Sequence, residues 1–127
     1  MNKTIIMLVM ATLAKNDSAH IYRLPTEAEW ELAAGHMPKD ADFNCGVGDA
    51  VTSVDAFATT KGACGGGDFW GNCWEWTSTK RGGNGCAVKG GAFDSKRTEC
   101  RTEARSESRK ATAGYSTVTF RVVREER

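Results

Sequence analysis

The chain has 127 residues, with 17 Lys and Arg against 16 Asp and Glu and 2 His, which suits one hydrophobic core and therefore one domain over 1–127. A formal charge of +1 supplies no long-range field toward polyanions, which argues against a nucleic-acid partner or an anionic membrane surface. With 14 Gly, 2 Pro and 4 Trp, the composition describes a loop-rich fold pinned by aromatic anchors, not a helical bundle.

In chain order, the first element is an apolar run over residues 4–14 behind Lys3. It imitates a signal peptide, but Ile5, Leu8, Val9 and Leu13 fit one face of a core helix, which is the reading adopted. The run is too short for a membrane span, which needs ~20 apolar residues, so a soluble protein is expected, with the compartment unassigned. After a polar turn at 15–18, Thr26 and Glu29 have capping-box spacing, with Pro25 just outside and Gly35 closing a second helix. Residues 36–67 break into short pieces rich in Gly, Asp, Asn and Thr, a long structured loop in which only Val54, Asp55, Ala56 and Phe57 read as a strand. From Cys100 to Arg109 small residues alternate with Arg and Glu. On a helix Arg97, Arg101, Arg105 and Arg109 would repel at four-residue spacing, so an extended segment is expected. Residues 117–123 set Val118, Phe120 and Val122 against Thr119 and Arg121, the alternation of a half-buried strand, and the polar residues from Arg124 on end it. The fold class is α+β: two helices, a long loop region, then short antiparallel strands.

The 5 cysteines form no C-x-x-C pair, which, with two histidines, poorly supports a structural zinc. The odd count leaves at least one thiol unpaired within the chain. Disulfides among the others stay open.

Three segments carry a resemblance. They are Tyr22-Arg23-Leu24-Pro25-Thr26-Glu27-Ala28-Glu29-Trp30-Glu31, then Gly71-Asn72-Cys73-Trp74-Glu75-Trp76-Thr77-Ser78, then Lys89-Gly90-Gly91-Ala92-Phe93, followed by Cys100-Arg101 and a closing Phe120-Arg121-Val122-Val123. Their order is similar to that of the formylglycine-generating-enzyme (sulfatase-modifying factor) family. The resemblance implies a C-type-lectin-like fold with little regular secondary structure. It covers nearly the whole chain but only the C-terminal part of the family's usual domain, whose N-terminal strands have no counterpart.

The resemblance also implies sites. A structural calcium would be held by the Asp68 and Glu75 side chains and the Gly71 and Cys73 carbonyls, hard oxygen donors of the kind calcium prefers. The alternative is that Trp74 and Trp76 are core anchors and Glu75 satisfies amides without a metal. A looser second calcium position lies near Asn44 and Asp49. The family's enzymes use two thiolates for copper(I). Aligned on Gly90-Gly91, those positions hold Ser95 and Cys100, and Ala92 stands where Ser is common, so copper is not expected. The three-histidine iron site of related sulfoxide synthases has too few histidines here. Another branch of the fold consists of ligand-binding proteins diversified by retroelements, whose variable stretch resembles residues 94–117. The ligand-facing set would be Phe93, Asp94, Ser95, Lys96, Arg97, Glu99, Arg101, Glu103, Arg105 and Tyr115. The preferred expectation is a non-catalytic recognition domain for a protein or glycan ligand. The alternative is a copper-dependent formylglycine-generating oxidase acting through Cys100 on a sulfatase cysteine. A third reading is a fragment whose sheet an oligomer or partner chain completes.

Overall fold

The computed structural model describes residues 3–46 and 50–127, and of the side chains of residues 3–5 nothing is said. It opens with α1 (Lys3–Asn16) and β1 (His20–Arg23), followed by α2 (Glu27–Ala34). Further along come β2 (Trp74–Arg81), β3 (Gly85–Lys89), α3 (Arg97–Cys100), β4 (Glu107–Lys110), β5 (Val118–Thr119) and β6 (Val123–Glu126). One sheet has the order β4-β3-β2-β5, and β1 and β6 form a separate pair. Among the described residues no helix is long and apolar enough to cross a membrane.

The α1 helix seats on the core by a different face from the one its sequence suggested. Ile6 is buried, Met10 packs against the same cluster and Leu13 is half-buried, whereas Leu8 is 65% exposed. Ile5 lies outside the described side chains. The inner stripe thus runs at positions i, i+4 and i+7 from Ile6 and leaves Met7, Leu8 and Val9 on the outer side.

The start of α2 forms as its spacing predicts. Thr26 Oγ1 accepts from the Glu29 amide at 3.1 Å and the Glu29 carboxylate accepts from the Thr26 amide at 3.0 Å. Arg23 holds the same carboxylate and brings the Glu29 pKa down to about 2. Gly35, at φ 67°, ends the helix. Trp30 and Ala34 face inward and join Phe43, Phe69, Trp70 and Cys100 in one core cluster. The other cluster gathers Ile6, Leu24, Trp74, Trp76, Cys86, Val88, Ala92 and Val118.

Three strand expectations are corrected. Residues 54–57 form turns, with the Ala56 amide bonded to the Ser53 carbonyl at 3.0 Å and Val54 76% exposed; among the described residues no strand pairs with them. The extended reading of 100–109 holds only from Glu107, where β3 supplies a ladder. Before that the chain coils through α3 and a turn. Cys100 and Thr102 point inward there, and the Lys89 ammonium donates to the Thr102 and Ala104 carbonyls at 2.8 and 2.9 Å. The last strand is broken: β5 pairs parallel with β2, Arg121 turns inward, and β6 pairs antiparallel with β1 through the polar residues expected to end it.

Candidate functional site

The second strand delivers Glu75 between Trp74 and Trp76, all three buried. Burying a carboxylate is tolerable only with compensation, and Glu75 receives it from two directions. Trp30 Nε1 donates to Oε1 at 2.8 Å, while Arg121 donates through Nε to Oε1 at 2.5 Å and through Nη2 to Oε2 at 2.9 Å. The Arg121 guanidinium lies 3.6 Å from the centroid of the Phe69 ring and also donates to the Gly67 and Asp68 carbonyls. Burial still pushes the Glu75 carboxyl above its ordinary range, against the pull of Arg121 and Trp30.

Beside this pair lies a cavity of about 260 Å³ whose lining includes Asp68, Asn72, Cys73, Glu75, Thr119 and Arg121. Asp68 and Asn72 both adopt left-handed backbone conformations, φ 61° and 66°, which short polar residues tolerate best. Asn72 bonds the Asn44 and Thr52 segments, and its amide nitrogen donates to Asp68 Oδ2 at 3.0 Å. The other Asp68 oxygen, Oδ1, is buried with no hydrogen-bond partner. Burial moves the Asp68 carboxyl upward, against the Asn72 bond and Arg121. Gly71 stands behind the cavity at φ 72°, where a Cβ would come 2.3 Å from the Asn44 carbonyl oxygen.

The structure therefore brings Asp68, Cys73 and Glu75 to one cavity and leaves Gly71 out of its lining. Among the described residues no group of three or more His, Cys, Asp and Glu side chains converges on a point. A hard cation would rest on carboxylate and carbonyl oxygens; of these, Asp68 Oδ1 is unsatisfied, whereas both Glu75 oxygens already accept from Arg121. Asp49 lies outside the described residues.

The two positions aligned with the copper thiols behave differently. Ser95 is buried, with its hydroxyl oxygen accepting from the Ala92 amide at 2.9 Å and its own amide donating to the Ala92 carbonyl at 3.0 Å, which closes a tight turn. Cys100 is fully buried, and burial pushes its thiol up to about 12, with the charges of Cys45 and Glu99 acting in the same direction. Its Sγ donates to the Lys96 carbonyl at 3.5 Å. The locked Ser95 hydroxyl supplies no sulfur donor, and copper(I) selects thiolates. Gly91 makes room for that thiol, since a Cβ there would stand 2.5 Å from Cys100 Sγ. Cys45, half-buried, packs against the same cluster; nothing in the sequence spacing marked it.

The residues expected to face a ligand divide. Asp94, Lys96, Glu99, Arg101, Glu103 and Arg105 are exposed, Phe93 and Arg97 are half-buried, and Ser95 points inward. Tyr115 also belongs to the fold, with its ring 6.2 Å from Trp76 and its hydroxyl accepting from the Lys110 amide. Arg97 lies 4.7 Å over the Phe43 ring and donates to the Lys39 carbonyl at 3.1 Å. It opens a cleft of about 280 Å³ shared with His36, Met37, Lys39, Arg101 and Glu103. His36, Lys39 and Phe43 were missed because they follow α2 and carry no recognisable spacing.

Over residues 8–126 the chain matches the family model described as the sulfatase-modifying factor enzyme 1-like domain. Its structure is similar to that of Treponema denticola variable protein 1, at 23% identity and TM-score 0.67, covering 80% of this chain and 46% of that one. It is also similar to PvdO from Pseudomonas aeruginosa, at 17% identity and TM-score 0.73, covering 92% and 57%. CarF is similar at 22% identity and TM-score 0.63, covering 83% and 47%. The chain thus spans about half the length of these proteins, and at such identities the likeness concerns the fold. None of the curated proteins compared with it matches.

Proposed function

The chain belongs to the sulfatase-modifying factor enzyme 1-like family, and from that membership we propose that it is a non-catalytic recognition domain presenting residues 94–117 to a protein or glycan ligand. The observation that carries this reading is at positions 95 and 100: the Ser95 hydroxyl closes a local turn where a thiolate would be needed, and the Cys100 thiol is buried in the core. The face itself suits recognition. Exposed Asp94, Lys96, Arg101, Glu103 and Arg105 stand on a backbone pinned from below by Cys100, Thr102 and Lys89, so their identities can change without disturbing the core. Retroelement diversification is the finer form of this proposal, tested by whether a reverse transcriptase gene lies beside a near-copy of the coding segment for 94–117. A calcium ion at Asp68 and Glu75 belongs to the same reading, supported by the unsatisfied Asp68 Oδ1. Bound there, it would balance carboxylate charge and hold the loop before β2.

The test is copper(I) titration with an assay for oxidation of a peptide cysteine. The expected result is no stoichiometric tight copper and no peptide aldehyde; their appearance would overturn the proposal. One observation favours the rival oxidase reading, the placement of Cys45 in the cluster that holds Cys100. If copper binding and aldehyde formation appear and vanish in Cys45→Ser, the enzyme reading replaces recognition.

A further inference from the structure

We propose that the cleft between the loop after α2 and the start of the recognition face binds an anionic group with several acceptor oxygens, a phosphate or sulfate ester carried by the ligand. This rests on the recognition reading and names the chemistry of one contact. The cleft is lined by Lys39, Arg97 and Arg101 with a single carboxylate, Glu103, among the described residues. Glu103 is already bonded to His36 Nδ1, so the cationic side chains outnumber the acid by two.

The arginines are arranged for an incoming anion. Elsewhere in this nearly neutral chain Arg23, Arg81, Arg109 and Arg121 each carry a carboxylate partner. Arg97 and Arg101, like Arg105 and Arg124, have none within ion-pair distance among the described residues, and of these only Arg97 and Arg101 line the cleft. Arg97 is held in place without being neutralised: the Lys39 carbonyl takes one N–H and the Phe43 ring lies against its flat face. That leaves in-plane donors free, and the order is already imposed before a ligand arrives. Arg101 follows α3 directly and is exposed, and among the described residues its side chain makes no hydrogen bond. Two guanidinium forks and an ammonium around about 280 Å³ suit an oxyanion with several acceptor oxygens better than a lone carboxylate. Nearby Asp40 and Asp42 line a neighbouring cavity with Lys61 instead.

The experiment is an NMR titration of the full chain labelled with nitrogen-15, following arginine Nε–H and backbone amide signals. Inorganic phosphate and inorganic sulfate are added in separate arms, and sodium chloride at matched ionic strength is the control. Saturable shifts at Arg97, Arg101 and Lys39 that chloride does not reproduce are expected with at least one oxyanion, and the tighter one identifies the source. Arg101→Ala should weaken binding roughly three- to tenfold and Glu103→Gln should tighten it by a similar factor, with the rest of the spectrum unchanged to show an intact fold. Absence of saturable shifts, shifts equal in chloride, or variants that leave affinity unchanged would overturn the proposal. That failure stays separate from failure of the recognition reading, which copper binding and aldehyde formation report independently.

Discussion

Replacing Arg121 by Met tests the contact that joins the second strand to the end of the chain. Glu75 is 4% exposed and draws three hydrogen bonds, two of them from Arg121. Removing one partner of a buried ion pair leaves an uncompensated charge and costs about 3–5 kcal/mol. For a domain of this size that lowers the melting temperature by roughly 12–20 °C, a large part of a typical stability of about 5–15 kcal/mol. The exposed pair of Arg81 with Glu27 is the control, and Arg81→Met should cost at most about 1 kcal/mol. The double variant Glu75→Gln with Arg121→Met should recover most of the loss, because it deletes the stranded charge while keeping an acceptor for Trp30.

The pH dependence has a definite sign. Burial raises the folded-state pKa of Glu75, and loss of Arg121 removes the main pull against that rise. A group raised in the folded state contributes stability that is present below its unfolded pKa and lost as pH climbs through the folded one. The gap between Arg121→Met and the parent chain should therefore narrow toward acid and widen toward neutral pH. Calorimetry or circular dichroism in calcium-free buffer reads both effects. A loss no greater than that of Arg81→Met, or a double variant as unstable as the single one, would refute the reasoning.

Three further outcomes follow from named contacts. In the presence of a chelator, Asp68→Asn should raise the melting temperature by roughly 3–5 °C, since burying an unpaired carboxylate costs about 1 kcal/mol or more; calcium should then stabilise the parent chain and not the variant, as thermal shift would show. Lys89→Met strands the Thr102 and Ala104 carbonyls and should cost about 2–3 kcal/mol. Hydrogen exchange should then show lost amide protection over residues 101–106. Gly71→Ala puts a Cβ 2.3 Å from the Asn44 carbonyl oxygen at φ 72°, and denaturant unfolding should report a loss of at least about 2 kcal/mol.

What could be read from the sequence was local. The capping box of Thr26 and Glu29 is complete within four residues, so its spacing sufficed. The α1 face was not readable that way, because Ile5 to Met10 are apolar all round and periodicity then cannot choose a side; Ile6 was chosen by the cluster around Trp76. The alternating charges after Cys100 form a strand only where β3 lies alongside, and the earlier part bends because Lys89, distant in sequence, collects its carbonyls. Arg121 looked like the polar face of a strand. Its real partner, Glu75, stands on another strand, and no pattern near residue 121 points to it.

The motifs that marked the family meet one another in space. Trp30 from the first segment and Arg121 from the last converge on Glu75 from the second, and Gly71 hangs its amide on the Gly90 carbonyl at 2.7 Å. Tight packing of this kind constrains residues whether or not a reaction takes place, so the signature as a whole reports the scaffold. Chemistry needs reagents beyond it, and the positions that resemblance assigns to them are 95 and 100. There a hydroxyl closes a turn and a thiol lies buried, while Asp94, Lys96, Glu99, Arg101, Glu103 and Arg105 around them reach solvent with mixed charge. A chain that keeps the scaffold, carries Ser95 at one of those two positions and displays a charged face is physically suited to bind, which is the ground of the recognition proposal.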